Sequence, residues 1–231
     1  MPANATTRPD PMTPEDFIRP RLVLDASVLP DGPAGEERLR AALDAGDVAT
    51  VVFSAGDRSE AAFQDLCEAL VPIVQEAGAA AIVAEDTRCA GRVKADGFHT
   101  GTGSLEALGE AVARFSPRLI VGASGFTTRH DALEAGERMP DYVLFGKLGA
   151  DAEAEPMRRN LELAEWWAEI VEIPCVVQGG ASLDTLEATI ATGAEFVMLG
   201  RAVFGEGVDP AEAVAGANRL FDEAQARARA A

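Results

Sequence analysis

From residue 20 onward, short apolar runs alternate with segments of helical periodicity. The runs are 21–27, 48–55, 80–86, 96–101, 118–125, 141–147, 174–180 and 196–204. They are rich in Val, Ile, Leu and Phe and mostly lack polar/apolar alternation, which predicts strands buried on both faces, as in a parallel sheet. The segments between them carry a 3.6-residue period. Within 59–77, for example, Phe63, Leu66, Cys67, Leu70 and Val74 share one face. Ser59, Ser104, Thr127 and Ser182 stand just before predicted helices as N-caps, and Gly78 and Gly193 close helices. One crossover is abbreviated: residues 87–95 have room for only two helical turns.

Eight units of about 25 residues, with no linker between them, predict a single-domain (β/α)8 TIM barrel over residues 20–231. The last two runs strengthen this reading. One ends in Gly179 and Gly180, and the other reaches Gly200 and Arg201. Glycine lets backbone N–H groups approach a ligand, and a helix starting just after it adds its positive end. Two such turns side by side make a cup for a phosphate, where such a barrel keeps its phosphate site. An open doubly wound sheet would have about five or six strands and its glycine-rich turn near the N-terminus.

Composition narrows the ligand class. The 231 residues are 48% hydrophobic, and Lys plus Arg total 20 against 38 Asp plus Glu, a formal net charge of −18. Such a field repels nucleic acid and anionic lipid, and makes an isolated Lys or Arg near the glycine turns informative. No apolar run reaches the ~18 residues a membrane span needs. Residues 1–19, rich in Pro, Thr and Asp, lack the order of a signal peptide and are expected to form a flexible arm. Cys67, Cys89 and Cys175 are far apart and odd in number, which suits a reduced, cytoplasmic setting and no metal-type spacing. Cys67 and Cys175 lie in apolar stretches and read as core. The partner expected is a phosphorylated small molecule, with homo-oligomerisation left open.

The C-terminal strand ends of a barrel converge on its active site. Here they carry Asp25 and Ser27, Ser54, Asp57 and Arg58, Glu85 and Asp86, His99 and Thr100, Ser124, Lys147, Gln178 and Arg201. Glu85 and Asp86 are adjacent carboxylates suited to a hard cation such as Mg²⁺, or else Asp86 caps the short third helix. Lys147 either meets an anionic ligand or neutralises the acidic stretch 151–155. Arg201 adds a fork to the phosphate cup formed by Gly179, Gly180 and Gly200. His99 is an acid–base candidate or a hydrogen-bonded core histidine. His130 is expected on the surface. Trp166 and Trp167 are expected in the barrel wall, one of them partly exposed.

The stretches at 48–60, 80–86, 95–101, 119–124, 140–146 and 173–186 resemble the thiamine phosphate synthase family in order and spacing. The resemblance implies joining of a pyrimidine methyl diphosphate to a thiazole phosphate, with Mg²⁺ and release of diphosphate. By position it implies Asp86 as metal ligand, Ser124 near the leaving diphosphate, and Gly179, Gly180, Gly200 and Arg201 around the thiazole phosphate. The chain also departs from the family pattern. Val52, Ser54 and Gly56 stand where the family places a Gln, an Arg and a Lys, and 102–104 lacks a second acidic metal ligand. Residues 147–153 replace a threonine-rich loop. One lost electrostatic contact can cost ~3 kcal/mol of transition-state binding. Arg58 and Lys147, with Ser54 and Gln178 as substrate contacts, are the available substitutes. A sister branch, the thiazole tautomerases, needs no diphosphate clamp, but its acid–base histidine falls at Phe126. Three functions follow: the transferase, an isomerase of a thiazole phosphate, and a non-catalytic phosphate-metabolite binder.

Overall fold

The computed structural model describes residues 17–230. The chain alternates β1 (Arg21–Asp25), α1 (Pro33–Asp44), β2 (Val48–Phe53), α2 (Glu60–Glu76), β3 (Ala80–Ala84), α3 (Thr87–Val93) and β4 (Gly97–Thr100). It continues with α4 (Leu105–Phe115), β5 (Ile120–Ser124), α5 (Arg129–Gly136), β6 (Tyr142–Phe145), α6 (Arg158–Ile170), β7 (Cys175–Gln178) and α7 (Leu186–Ile190). Last come β8 (Phe196–Leu199), the single turn α8 (Arg201–Phe204) and the long α9 (Pro210–Ala230). The eight strands pair in chain order, and β1 closes on β8, all in parallel. This is a (β/α)8 barrel.

Two apolar regions hold it together. Outward-facing strand residues such as Leu22, Leu24, Phe53, Val121, Phe145 and Val177 pack under the helices. Alternate residues (Val23, Val52, Ile82, Tyr142, Val176 and Met198 among them) fill the lumen. Both faces of each strand are therefore apolar, which is why the runs show no alternation. The alternation reappears at the C-terminal end of the lumen, where Asp25, His99, Ser124 and Gln178 are buried polar residues.

Most local expectations hold, and a few need correction. Ser59, Ser104 and Ser182 accept backbone N–H groups as N-caps, but the cap of α5 is Thr128, which accepts from Asp131 N at 3.1 Å, not Thr127. Ser182 opens a 3₁₀ turn, Leu183–Thr185, before α7. The last apolar run is not one strand: it splits at Gly200 into β8 and α8. The short crossover at 87–95 is α3, capped by Asp86 and ended by Lys94 in a left-handed conformation. Of the arm expected over 1–19, residues 1–16 lie outside the described residues. Its end is anchored: Phe17 packs on the core, and Arg19 bonds to Asp222 Oδ1 at 2.6 Å and Asn218 Oδ1 at 3.0 Å. Trp167 is buried and donates to Ile173 O, while Trp166 is half-buried under Arg129. All three cysteines are free and buried.

Candidate active site at the barrel mouth

A cavity of about 740 Å³ opens at the C-terminal ends of β4 to β7, the face a barrel uses for chemistry. Gly101, Gly125 and Gly146 form its floor, and Phe126 and Thr127 one wall. The loop from β6 to α6 supplies Lys147, Ala150, Asp151 and the residues up to Pro156. Arg159 and Asn160, at the start of α6, complete the rim. Lys147 and Arg159 are exposed, and among the described residues neither forms an ion pair. The lysine therefore does not neutralise the acids that follow it. Its place is set by Gln178, whose Oε1 accepts from Lys147 N at 2.9 Å while Nε2 donates to Lys147 O at 2.7 Å. Gly146 allows that approach, because a Cβ there would lie 2.5 Å from Gln178 Cβ.

The other candidates divide into used and available groups. His99 is fully buried, with Nδ1 2.9 Å from the Tyr142 hydroxyl and Nε2 2.9 Å from Ser124 Oγ. Burial lowers its pKa to about 3, so the ring is neutral. The tyrosine reaches it through space left by Gly122, where a Cβ would lie 2.0 Å from Tyr142 Cζ. His99 is thus the middle of a closed lumen network, with both ring nitrogens committed. Arg58 is turned away from the cavity. It bonds to Asp31 Oδ1 at 2.7 Å and to the carbonyls of Ser27 and Leu29, so it does not stand in for the missing clamp. Ser54 lies 2.7 Å from Ser27 Oγ, which in turn donates to the buried Asp25; burial raises that carboxyl's pKa.

Glu85 and Asp86 do lie at a strand end. Glu85 takes a left-handed backbone, φ 65°, a conformation that costs a non-glycine residue of order 1 kcal/mol. That bend sends its Oε1 to Gly101 N at the cavity floor. Asp86 Oδ1 caps α3, accepting from Arg88 N at 2.9 Å and Cys89 N at 2.8 Å. Both readings of Asp86 are compatible, since each capping bond uses the same oxygen. Among the described residues, no group of three His, Cys, Asp or Glu side chains is arranged to hold a metal. Two carboxylates suit an ion that keeps most of its waters and shares phosphate oxygens, not one caged by protein.

The two glycine turns are neighbours, as expected of a single cup, because β7 pairs with β8. One segment of the β6–α6 loop fills both. Asp151 Oδ2 accepts from Gly200 N at 3.1 Å and Arg201 N at 2.6 Å, and Oδ1 accepts from the Arg201 guanidinium at 2.9 Å. At the other turn, Ala181 N donates to Glu153 O and Ser182 N to Ala154 O. A Cβ on Gly180 would lie 2.1 Å from Ala154 O. Asp151, Arg159 and Asn160 were not legible in the sequence. Asp151 reads there as one of several solvated loop acids.

Comparison with known proteins decides the family. Residues 23–203 match the family profile described as thiamine monophosphate synthase. The chain belongs to this family. The thiamine-phosphate synthase of Rhodospirillum centenum is 35% identical over 202 residues, covering 87% of this chain and 97% of that protein. That of Hyphomonas neptunium is 31% identical over 222 residues, covering 94% and 97%. Among solved structures, a thiamine phosphate pyrophosphorylase from Pyrococcus furiosus superposes with a TM-score of 0.70 at 23% identity, over 91% of this chain and 98% of that one. A 3-hexulose-6-phosphate synthase superposes with a TM-score of 0.67 at 17% identity, over 86% and 98%. These likenesses between structures speak for the barrel alone. At the positions the resemblance points to, the chain has Asp86 at the end of β3 and the paired glycine turns after β7 and β8. It lacks the cationic clamp after β2, and its cations stand instead on the β6–α6 side.

Proposed function

We propose that the chain is a transferase of the thiamine phosphate synthase kind, joining a pyrimidine methyl diphosphate to a thiazole phosphate. The observation that carries this is family membership over residues 23–203 together with a cavity at the barrel mouth that bears two exposed cations, Lys147 and Arg159. In the reaction, the bond from the pyrimidine methylene carbon to the diphosphate oxygen breaks, its electrons leaving with diphosphate, and the thiazole nitrogen bonds to that carbon. The chain's task is to bind, orient and offset charge. Lys147 and Arg159 face the leaving diphosphate. Gln178 fixes the backbone of Lys147 and so aims the ammonium group. Gly101 and Gly125 keep the floor open, and buried Phe126 keeps water off the reacting carbon.

Glu153 and Glu155 line the same cavity, so two acids face the two cations. A diphosphate therefore needs its charge offset before it enters. Asp86 and Glu85 would hold a Mg²⁺ ion through one or two oxygens, and the ion would supply that offset by neutralising charge on the diphosphate. Three buried thiols suit a reducing compartment, the cytoplasm. The tautomerase reading loses support, because Phe126 stands in place of its histidine and His99 has no free ring nitrogen. The test is incubation of purified protein with the pyrimidine diphosphate, an acceptor thiazole and Mg²⁺. Diphosphate and coupled product are expected in equal amounts. Absence of both with every acceptor form overturns the reading.

A further inference from the structure

The cup between β7 and β8 already contains an anion, and the anion is part of the chain. The Asp151 side chain is 1% exposed, and its two oxygens take the N–H groups of Gly200 and Arg201 together with one nitrogen of the Arg201 guanidinium. The glycines make room for this occupant: a Cβ on Gly200 would lie 2.8 Å from Asp151 Oδ2. The loop carrying the aspartate is tied down on all sides. Gly149 N donates to Asp25 Oδ2 at 2.7 Å, and Gly149 O accepts from Arg201 at 2.7 Å. Thr185 Oγ1 donates to Ala154 O at 2.9 Å. A phosphate and the Asp151 carboxylate cannot share these donors. Like charges at contact distance repel, and three donors grip one anion at a time.

Resting on the transferase reading, we propose that Asp151 is a specificity-determining residue, an intramolecular competitor for the phosphate of the acceptor. A phosphorylated acceptor must expel the aspartate before its phosphate gains anything from the cup, and it leaves a buried carboxylate to be rehoused. An acceptor ending in an uncharged hydroxyl needs no such exchange and sits in the cavity beside Ala150, Ala154, Pro156 and Met157. The chain therefore also couples the unphosphorylated heterocyclic alcohol, with the same bond changes and the same leaving diphosphate.

The experiment measures two things on wild type, Asp151→Ala and Asp151→Asn. The first is the melting temperature across a titration of inorganic phosphate, since a ligand that fills the cup stabilises by mass action. The second is kcat/KM for the phosphorylated acceptor divided by that for its alcohol. Phosphate is expected to raise the melting temperature of Asp151→Ala well beyond its effect on wild type. The acceptor ratio is expected to rise at least about tenfold in that variant. If Asp151→Ala does not fold at any phosphate concentration, Asp151→Asn, which keeps size and one acceptor oxygen, carries both comparisons. Equal phosphate stabilisation of wild type and variant overturns the proposal, and so does an unchanged acceptor ratio. If no acceptor yields product with any form of the protein, it is the transferase reading that fails, and the phosphate titration still decides the role of Asp151.

Discussion

His99 is kept neutral between Tyr142 and Ser124 by burial, which lowers its pKa from 6.5 to about 3. The unfolded chain takes up a proton near pH 6.5, whereas the folded chain does so only at about pH 3. Stability from this group is thus full above pH 6.5 and declines as pH falls through that window. Most carboxylates titrate near pH 4, and Asp25, raised by burial, acts in the opposite sense but is common to wild type and variant, so the difference between the two isolates the histidine. Denaturant melts are expected to show wild type losing stability relative to His99→Gln as pH falls from about 7 to 5. Gln178 makes a second kind of residue-scale prediction. Replacing it by Leu strips both backbone partners from Lys147, and a buried donor or acceptor left unpaired costs about 1–3 kcal/mol. The same melts check this. The polar identity of both residues was legible in the sequence, since they end apolar runs. Their partners were not, because Tyr142 reaches His99 from two strands away and Lys147 is met through its backbone on the next strand, each contact passing a glycine, at 122 and 146.

Elements explain where sequence reading succeeds and stops. All eight strands were legible because parallel strands buried on both faces leave unbroken apolar runs. The caps of α2 and α4, Ser59 and Ser104, were legible to the residue, Ser182 caps a 3₁₀ turn ahead of α7, and α5 is one residue off: Thr127 and Thr128 both suit the cap chemically, and only the backbone decides. Thr128→Ala is expected to cost about 1 kcal/mol in a thermal or denaturant melt. Thr127→Ala, whose side chain belongs to the cavity wall, is expected to leave stability nearly unchanged. The β6–α6 loop has no periodicity to read, and its decisive contact joins Asp151 to a turn 50 positions away. Gly180 belongs to this scale as well. The sequence suggests it clears space for phosphate, whereas it clears space for Ala154 O. Gly180→Ala is expected to push residues 153–155 outward and make them more sensitive to limited proteolysis than in wild type, at equal global stability or below it.

For the whole molecule, a net charge of −18 surrounds a cavity that holds Lys147 and Arg159 with Glu153 and Glu155 at its edge. An anionic substrate approaches such a protein against the general field and is drawn in by these two cations. No described helix is long and apolar enough to cross a membrane, and the barrel closes without an edge strand, so the mouth is the face where the buried polar residues of the lumen emerge. The account's central claim is that this mouth, between the β6–α6 loop and the start of α6, receives the diphosphate. Titration calorimetry of Mg²⁺ and inorganic diphosphate into wild type and into the double variant Lys147→Ala, Arg159→Ala tests it most directly. Both side chains are exposed, so the variant keeps the fold. The account predicts binding to wild type and a loss of affinity of at least about tenfold in the double variant. The same affinity in both proteins would contradict it.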